Sequence, residues 1–317
     1  MTIIERIKKM KIGFLTACLP KLKLSDLVKW ASKQGFQSLE LAAWPAKSIR
    51  DYQAQQIDAA NFNKDDAKRV KDLFAEHNMT ISAMAYYDNN LHPDKKQRSS
   101  YIKHLYKVID TASLLDAKLV GTFVGGRPDK TPAQMIKEIG KVFRPILKYA
   151  ADKGVKIMIE NCPMENWVKF GLPGNYAFSP ELWDALFNEL PNKNFGLNFD
   201  PSHLYWLGID YIQAAKDFAP KIFHAHAKDT EILQDGVFNY GLFGKQIEPT
   251  PWKSGWWRYR MPGLGEIDWR RFITTLQENG YDNVLSIEHE DPVWEGSEEI
   301  VKKGLQLGYK HLSQFVV

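Results

Sequence analysis

Eight short β-like runs alternate with eight helical patterns along this 317-residue chain, and no Pro-, Gly- or Ser-rich linker divides them. Short apolar runs read as strands and apolar residues at a 3.6 spacing read as helices. Strands are expected at 12–17 (IGFLTA), 36–42 (FQSLELA), 80–86 (TISAMAY), 118–124 (KLVGTFV), 156–162 (KIMIENC), 195–200 (FGLNFD), 222–228 (IFHAHAK) and 284–289 (VLSIEH). Helices are expected at 24–34, 65–77, 98–115, 131–153, 179–189, 210–218, 268–278 and 297–314. Their ends carry the right punctuation: Thr131-Pro132 and Ser179-Pro180 open helices, and Gly35, Gly154 and Gly280 close them.

Strict β/α alternation implies a parallel sheet, because each helix must carry the chain back to the edge where the next strand starts. Eight such units predict an α/β chain folded as one (β/α)8 TIM barrel over 1–317, a length that would otherwise hold two small domains. The competing open, doubly wound sheet usually shows a glycine-rich turn after its first strand. Here that place holds Ala17-Cys18-Leu19-Pro20.

One connection is out of proportion. About 40 residues, Asp229 to Ile267, separate the seventh strand from the next helix, and they contain Tyr240, Trp252, Trp256, Trp257, Arg258, Tyr259 and Arg260. A structureless segment of this length in a compact domain is usually a lid or a binding loop. Trp and Tyr faces suit the C–H surface of sugar rings, Arg suits hydroxyls or phosphate, and the same residue types also suit a subunit interface. A homo-oligomer is therefore among the expectations. A shorter insertion, 44–62, is expected to line the same mouth.

Composition narrows the partners. With 42 Lys+Arg against 38 Asp+Glu, the net charge of +4 argues against nucleic acid and membrane partners, leaving a small-molecule substrate. Two cysteines, Cys18 and Cys162, are too few for a disulfide framework and too far apart for a zinc motif, so a reduced cytoplasm is the expected location. The N-terminus MTIIERIKKMKIGF lacks the apolar core of a signal peptide, and no apolar run reaches the roughly 18 residues of a membrane span.

The last four strands end in Glu160, Asp200, His226 and Glu288. In such a barrel the functional face lies at the C-terminal strand ends, so three carboxylates and one imidazole there predict a single divalent ion: Mn2+ first, with Zn2+, Mg2+ or Co2+ as alternatives. An ion that chelates a carbonyl and a neighbouring hydroxyl acidifies the C–H between them and stabilises the enediolate. Glu160 and Glu288 are the candidate pair that removes and returns the proton. His203, three residues past Asp200, is placed to reach a substrate oxygen. His224 shares its strand face with His226 and is expected one layer deeper. Asn161 is expected to orient a ligand or close a turn, and Cys162 to be a core thiol.

The segments IENCP, NFDPSH, HAHAKD and SIEHED, with PGLGEIDW before the last helices, resemble the sugar phosphate isomerase/epimerase superfamily. These are the xylose-isomerase-like barrels that include ketose 3-epimerases and inositol-pathway enzymes. The resemblance covers nearly the whole chain and is most specific from Lys156 to Glu290. It implies that Glu160, Asp200, His226 and Glu288 are the metal ligands, that the two glutamates transfer the proton, and that His203 contacts a sugar or polyol substrate. Glu40 in LELAAW and His92 in LHPD are expected sugar-hydroxyl contacts.

Departures from the pattern bear on the substrate. Ketose 3-epimerases commonly carry an arginine six residues after the metal histidine, where this chain has Ile232; Arg258 or Arg260, with Trp257, is expected to take over, unless the substrate differs from a free ketose. A keto-polyol dehydratase or lyase on the same site is the nearest alternative. Endonuclease IV-like DNA repair enzymes need an Asp-x-His pair after the seventh strand, and 252–265 holds no histidine. A two-metal aldose isomerase needs an Asp-x-Asp element, to which Asp229-Thr-Glu231 is the nearest approach. A non-catalytic sugar-binding barrel would explain a lost ligand, yet all four are present.

Overall fold

The computed structural model describes residues 10–46, 53–127, 129–164, 173–250 and 254–316. Eight parallel strands close into a barrel: β1 (Lys11–Leu15), β2 (Ser38–Ala42), β3 (Thr80–Asn89), β4 (Leu119–Phe123), β5 (Lys156–Glu160), β6 (Phe195–Phe199), β7 (Ile222–Ala227) and β10 (Val284–Ile287). Closure is made by β10, which pairs with β7 on one side and β1 on the other. All eight expected strands are found, with ends shifted by at most two residues except in β3, which runs on to Asn89 across a register shift against β4.

The intervening helices are α1 (Leu24–Lys33), α2 (Lys64–Glu76), α3 (Lys95–Leu114), α4 (Pro132–Asp152), α5 (Pro180–Glu189), α7 (Tyr211–Asp217), α9 (Trp269–Glu278) and α10 (Glu298–Leu312). Capping side chains fix several starts. Asn63 with Asp66 on α2, and Thr131 with Gln134 on α4, form reciprocal capping boxes; such caps contribute about 1 kcal/mol each. α3 begins three residues earlier than its periodicity suggests, because Asp94 accepts from Gln97 N and starts the helix there. Gly154 follows α4 at φ +68 with open space around its Cα, so its backbone conformation, not crowding, calls for glycine.

Two cores result. Between barrel and helices, Phe14, Phe143, Trp183, Phe195, Phe199 and Phe272 are fully buried. Ala83, Leu119 and Met158 form a small separate cluster. Among the described residues, no helix is long and apolar enough to cross a membrane.

The long connection departs from expectation because it is not structureless. Its ends form an antiparallel hairpin, β8 (Asp229–Ile232) with β9 (Trp257–Arg260), and the excursion between them contains α8 (Gln234–Tyr240). Four N–H donors sew its ends together on Asp229, whose carboxylate accepts from Thr230 N, Gly263 N, Ile267 N and Trp269 Nε1. A further short helix, α6 (Pro201–Trp206), follows β6 directly. Trp252 lies outside the described residues, as do 47–52 of the shorter insertion; in the described part of that insertion Trp44 N donates to Ala54 O, and Trp44 packs on Tyr86 and Tyr87.

Candidate metal centre

Glu160 is the last residue of β5, Asp200 and Glu288 follow β6 and β10 by one residue, and His226 is the penultimate residue of β7. Parallel pairing holds these ends level, and one ligand atom from each lies within 4.8 Å of the other three. His226 Nδ1 is 3.0 Å from Glu288 Oε2 and 3.4 Å from Glu160 Oε1. Asp200 is clamped by Asn161, which donates to its carbonyl at 2.8 Å and accepts from its N–H at 2.7 Å. Asn175 in turn donates to the carbonyls of Glu160 and Cys162.

Beneath the four lies a buried polar layer. His226 Nε2 is 3.0 Å from Glu40 Oε2, whose carboxylate also accepts from Tyr87 OH at 2.6 Å and Ser286 Oγ at 2.9 Å. Asn198 bridges His224 Nδ1 (2.9 Å) and Tyr87 OH (2.7 Å). Glu40 is fully buried, these partners engage both of its oxygens, and it forms a second group of potential ligands with His224 and His226. A carboxylate on the far nitrogen of a ligating histidine fixes ring orientation and tautomer.

The electrostatics are those of a cation site. Burial and the Glu288 carboxylate push Glu160 up to about 8. Burial pushes Glu288 upward too, but Lys228 and His226 outweigh it and hold the acid well below the usual range. Burial opposes charge on His226, yet Glu288, Glu40 and Glu160 raise it well above its ordinary value. Glu40 is likewise opposed by burial and drawn down to about 2 by His226 and His224. Two carboxylates about 4 Å apart repel by about 4 kcal/mol at an effective dielectric of 20. One proton retained at Glu160 is how the metal-free cluster relieves that repulsion.

Lys228, unrecognised in the sequence, completes the cluster. It is 1% exposed, with Nζ 2.6 Å from Glu288, 3.0 Å from Glu290 and 3.3 Å from Asp200, and it lies over the Tyr259 ring. Burial opposes its charge, but Glu288, Glu290 and Asp200 raise its pKa well above the ordinary value. Burial raises Glu290 to about 7, with Lys228 opposing. The signal available in sequence was a lysine two residues past the metal histidine, where alternation keeps it on the ligand's side of the strand.

His203 arrives on α6, with Nε2 3.3 Å from Glu160 and 3.2 Å from Asp200, and Nδ1 2.9 Å from Tyr259 OH. Burial, then Lys228, holds its pKa well below the ordinary value, so the ring is neutral. The other expected contacts lie elsewhere. Arg258 binds Glu231 at 2.6 Å, while Arg260 binds Glu231 and, at 3.0 Å, Asp291; both brace the hairpin. Trp257 is buried with one face stacked on Trp206, centroids 4.5 Å apart. His92 accepts from Asp94 N at 3.1 Å and packs edge-on to Tyr101, outside the cluster. Asp229 and Glu231 are likewise engaged by their N–H and arginine donors, which opposes a second metal there.

The residues fit a divalent ion. Three oxygens and one nitrogen converge, and Asp200 Oδ2 is buried with Lys228 Nζ at 3.3 Å and His203 Nε2 at 3.2 Å, an oxygen that already faces positive charge.

Comparison with known proteins agrees with this architecture. The chain is 28% identical over 300 residues to the uncharacterized protein YfiH of Bacillus subtilis, spanning 89% of this chain and 93% of that one. It is 24% identical over 222 residues to an inosose isomerase of Bacillus licheniformis, spanning 66% of each. The crystal structure of the IOLI protein with a bound zinc atom superposes with a TM-score of 0.69 at 21% identity, covering 96% of this chain and 99% of that one, a likeness of fold. Another relative is named an inosose dehydratase, and the structure of a D-psicose 3-epimerase shares the fold at 14% identity and a TM-score of 0.68. The family model described as xylose isomerase-like TIM barrel matches residues 28–311, and the chain belongs to that family.

Proposed function

We propose that this chain, acting as one barrel domain, is a divalent-metal-dependent isomerase or epimerase of a sugar, sugar phosphate or polyol, working by proton transfer next to a carbonyl. The observation that carries the reading is the convergence of two glutamates, Glu160 and Glu288, on one ligand set with Asp200 and His226. A bound ion, Mn2+ first and otherwise Zn2+, Mg2+ or Co2+, would polarise the carbonyl and stabilise the charge left when the neighbouring proton departs.

The chain's own groups divide the remaining work. In this reading one glutamate takes the proton and the other returns one, as two carboxylates on a single ligand set allow. His203, neutral and held by Tyr259, presents Nε2 beside Glu160 and would orient a substrate hydroxyl. Lys228 adds fixed positive charge on the Glu288 side.

A second reading, loss of a β-hydroxyl from a keto-polyol, uses the same enolate, and the likeness to an inosose dehydratase, 29% identical over 160 residues, favours it. Product mass separates the two: dehydration lowers it by one water and epimerisation does not.

The test is a panel of keto-sugars and inososes incubated in deuterated water with each metal. Wild type should incorporate deuterium next to the carbonyl. Glu160→Gln and Glu288→Gln, with metal content measured alongside, should slow incorporation by about 10²–10⁴-fold. Normal exchange in both variants would end the two-glutamate mechanism.

A further inference from the structure

The excursion between β8 and β9 presents an apolar strip that neither the fold nor the proposed reaction uses. Phe238, Leu242, Phe243 and Ile247 are 89, 70, 93 and 103% exposed, four large apolar side chains within ten residues. Together they expose roughly 600 Å² of apolar surface, about as much as the largest contiguous patch on a typical monomer.

The strip is held in place. On its inner side, Gly236 packs so closely on Gly255 O and Trp256 that a Cβ would collide, and Gly244 does the same against Ser254 O. Leu233 N donates to Trp256 O at 2.8 Å, and Gln246 accepts from Thr250 N at 2.6 Å. These contacts fix the arm against its own hairpin and leave the four side chains facing outward. A loop that served only to connect two strands would gain nothing by exposing them, because each would be better buried or replaced by a polar residue.

We propose that this strip is the surface on which two copies of the chain pair. Its area supports that occupant: a standard interface buries about 800 Å² per partner around an apolar centre, and roughly 600 Å² supplies that centre. Its charges support it as well. Exposed Asp235 lies before the strip, exposed Lys245 lies within its far end with exposed Glu248 just beyond Ile247, and Phe238–Phe243 between them are uncharged. Two strips laid antiparallel about a two-fold axis bring Asp235 of each copy toward Lys245 of the other, the self-complementarity an isologous interface requires. The arm rises from the hairpin whose Tyr259 holds His203, so pairing would also brace the strand beside the site.

The experiment is sedimentation velocity of the full chain from about 1 to 50 μM, a range that brackets an ordinary dimer. Wild type should sediment at twice the 36.5 kDa chain mass. Phe243→Asp combined with Ile247→Asp should sediment as a monomer with unchanged circular dichroism. Should that variant fail to fold, charge reversal decides. Asp235→Lys alone should weaken pairing by about tenfold through two repulsive contacts, and adding Lys245→Asp should restore it. A wild type that remains monomeric, an assembly that survives the double aspartate variant, or reversals without effect on mass would each overturn the proposal.

Discussion

The two halves of the barrel mouth are built differently. β5, β6, β7 and β10 bring Glu160, Asp200, His226 and Glu288 to the centre, whereas β1, β2, β3 and β4 end in Leu15, Ala42, Asn89 and Phe123 and reach it through Glu40 and Tyr87. The first group's four ligand atoms lie within 4.8 Å of one another; in the second, Glu40 and Tyr87 are hydrogen-bonded to His226, Ser286 and Asn198. One half offers ligands, and the other sets how a ligand is aimed. Both kinds of glutamate are buried, so burial alone does not separate a ligand from a support; what surrounds each carboxylate does.

Breaking the ligand half should have the largest effect. His226→Ala should lower divalent-ion affinity by at least about 10³-fold in chelator competition, beyond the 10–100-fold expected for an outer partner. A smaller loss would dissolve the distinction between the halves. Glu40→Gln comes next, with a 10–100-fold loss of affinity, because the ring of His226 would lose the anion on its far nitrogen. Glu40→Asp should recover part of it. An effect of Glu40→Gln as large as that of His226→Ala would make Glu40 a ligand in its own right.

The smallest effect is the dependence on pH. Burial and Glu288 hold Glu160 near 8, and the surrounding carboxylates raise His226 well above its ordinary value, so an entering ion displaces a proton from each and affinity should rise through neutral pH by about tenfold per unit for each proton displaced. The metal-free protein should show the opposite trend. Between about 6.5 and 8 the Glu160 carboxyl is protonated when folded and ionised when unfolded, so the folded state binds more protons and stability falls as pH rises. Below that window the depressed pKa values of His203 and His224 contribute with the other sign, which is why the measurement belongs above it. A melting temperature of chelator-treated protein that climbs across 6.5–8 would refute the assignment of the retained proton.

The alternation and the strand-end residues were legible because both are local. A strand's apolar run and the charged residue that stops it are neighbours in sequence, and barrel closure brings those stops level. Glu40 could be seen in β2 but its role could not, since its histidine partner is 186 residues away. Arg258 and Arg260 looked available because the pattern does not show that Glu231 and Asp291 would engage them. The hairpin was missed for a related reason: its strands are four residues each and 24 residues apart, so neither carries a periodicity long enough to read.

The chain by itself determined the (β/α)8 order and the identity of the four residues at the ends of β5, β6, β7 and β10, because periodicity and strand termination are properties of short stretches. Tertiary structure alone decided which nitrogen of His226 faces the cluster, that Lys228 lies among the acids, and which glutamate keeps a proton. Those depend on distances across the barrel, and in a buried site distance and desolvation, not residue type, determine where charge resides.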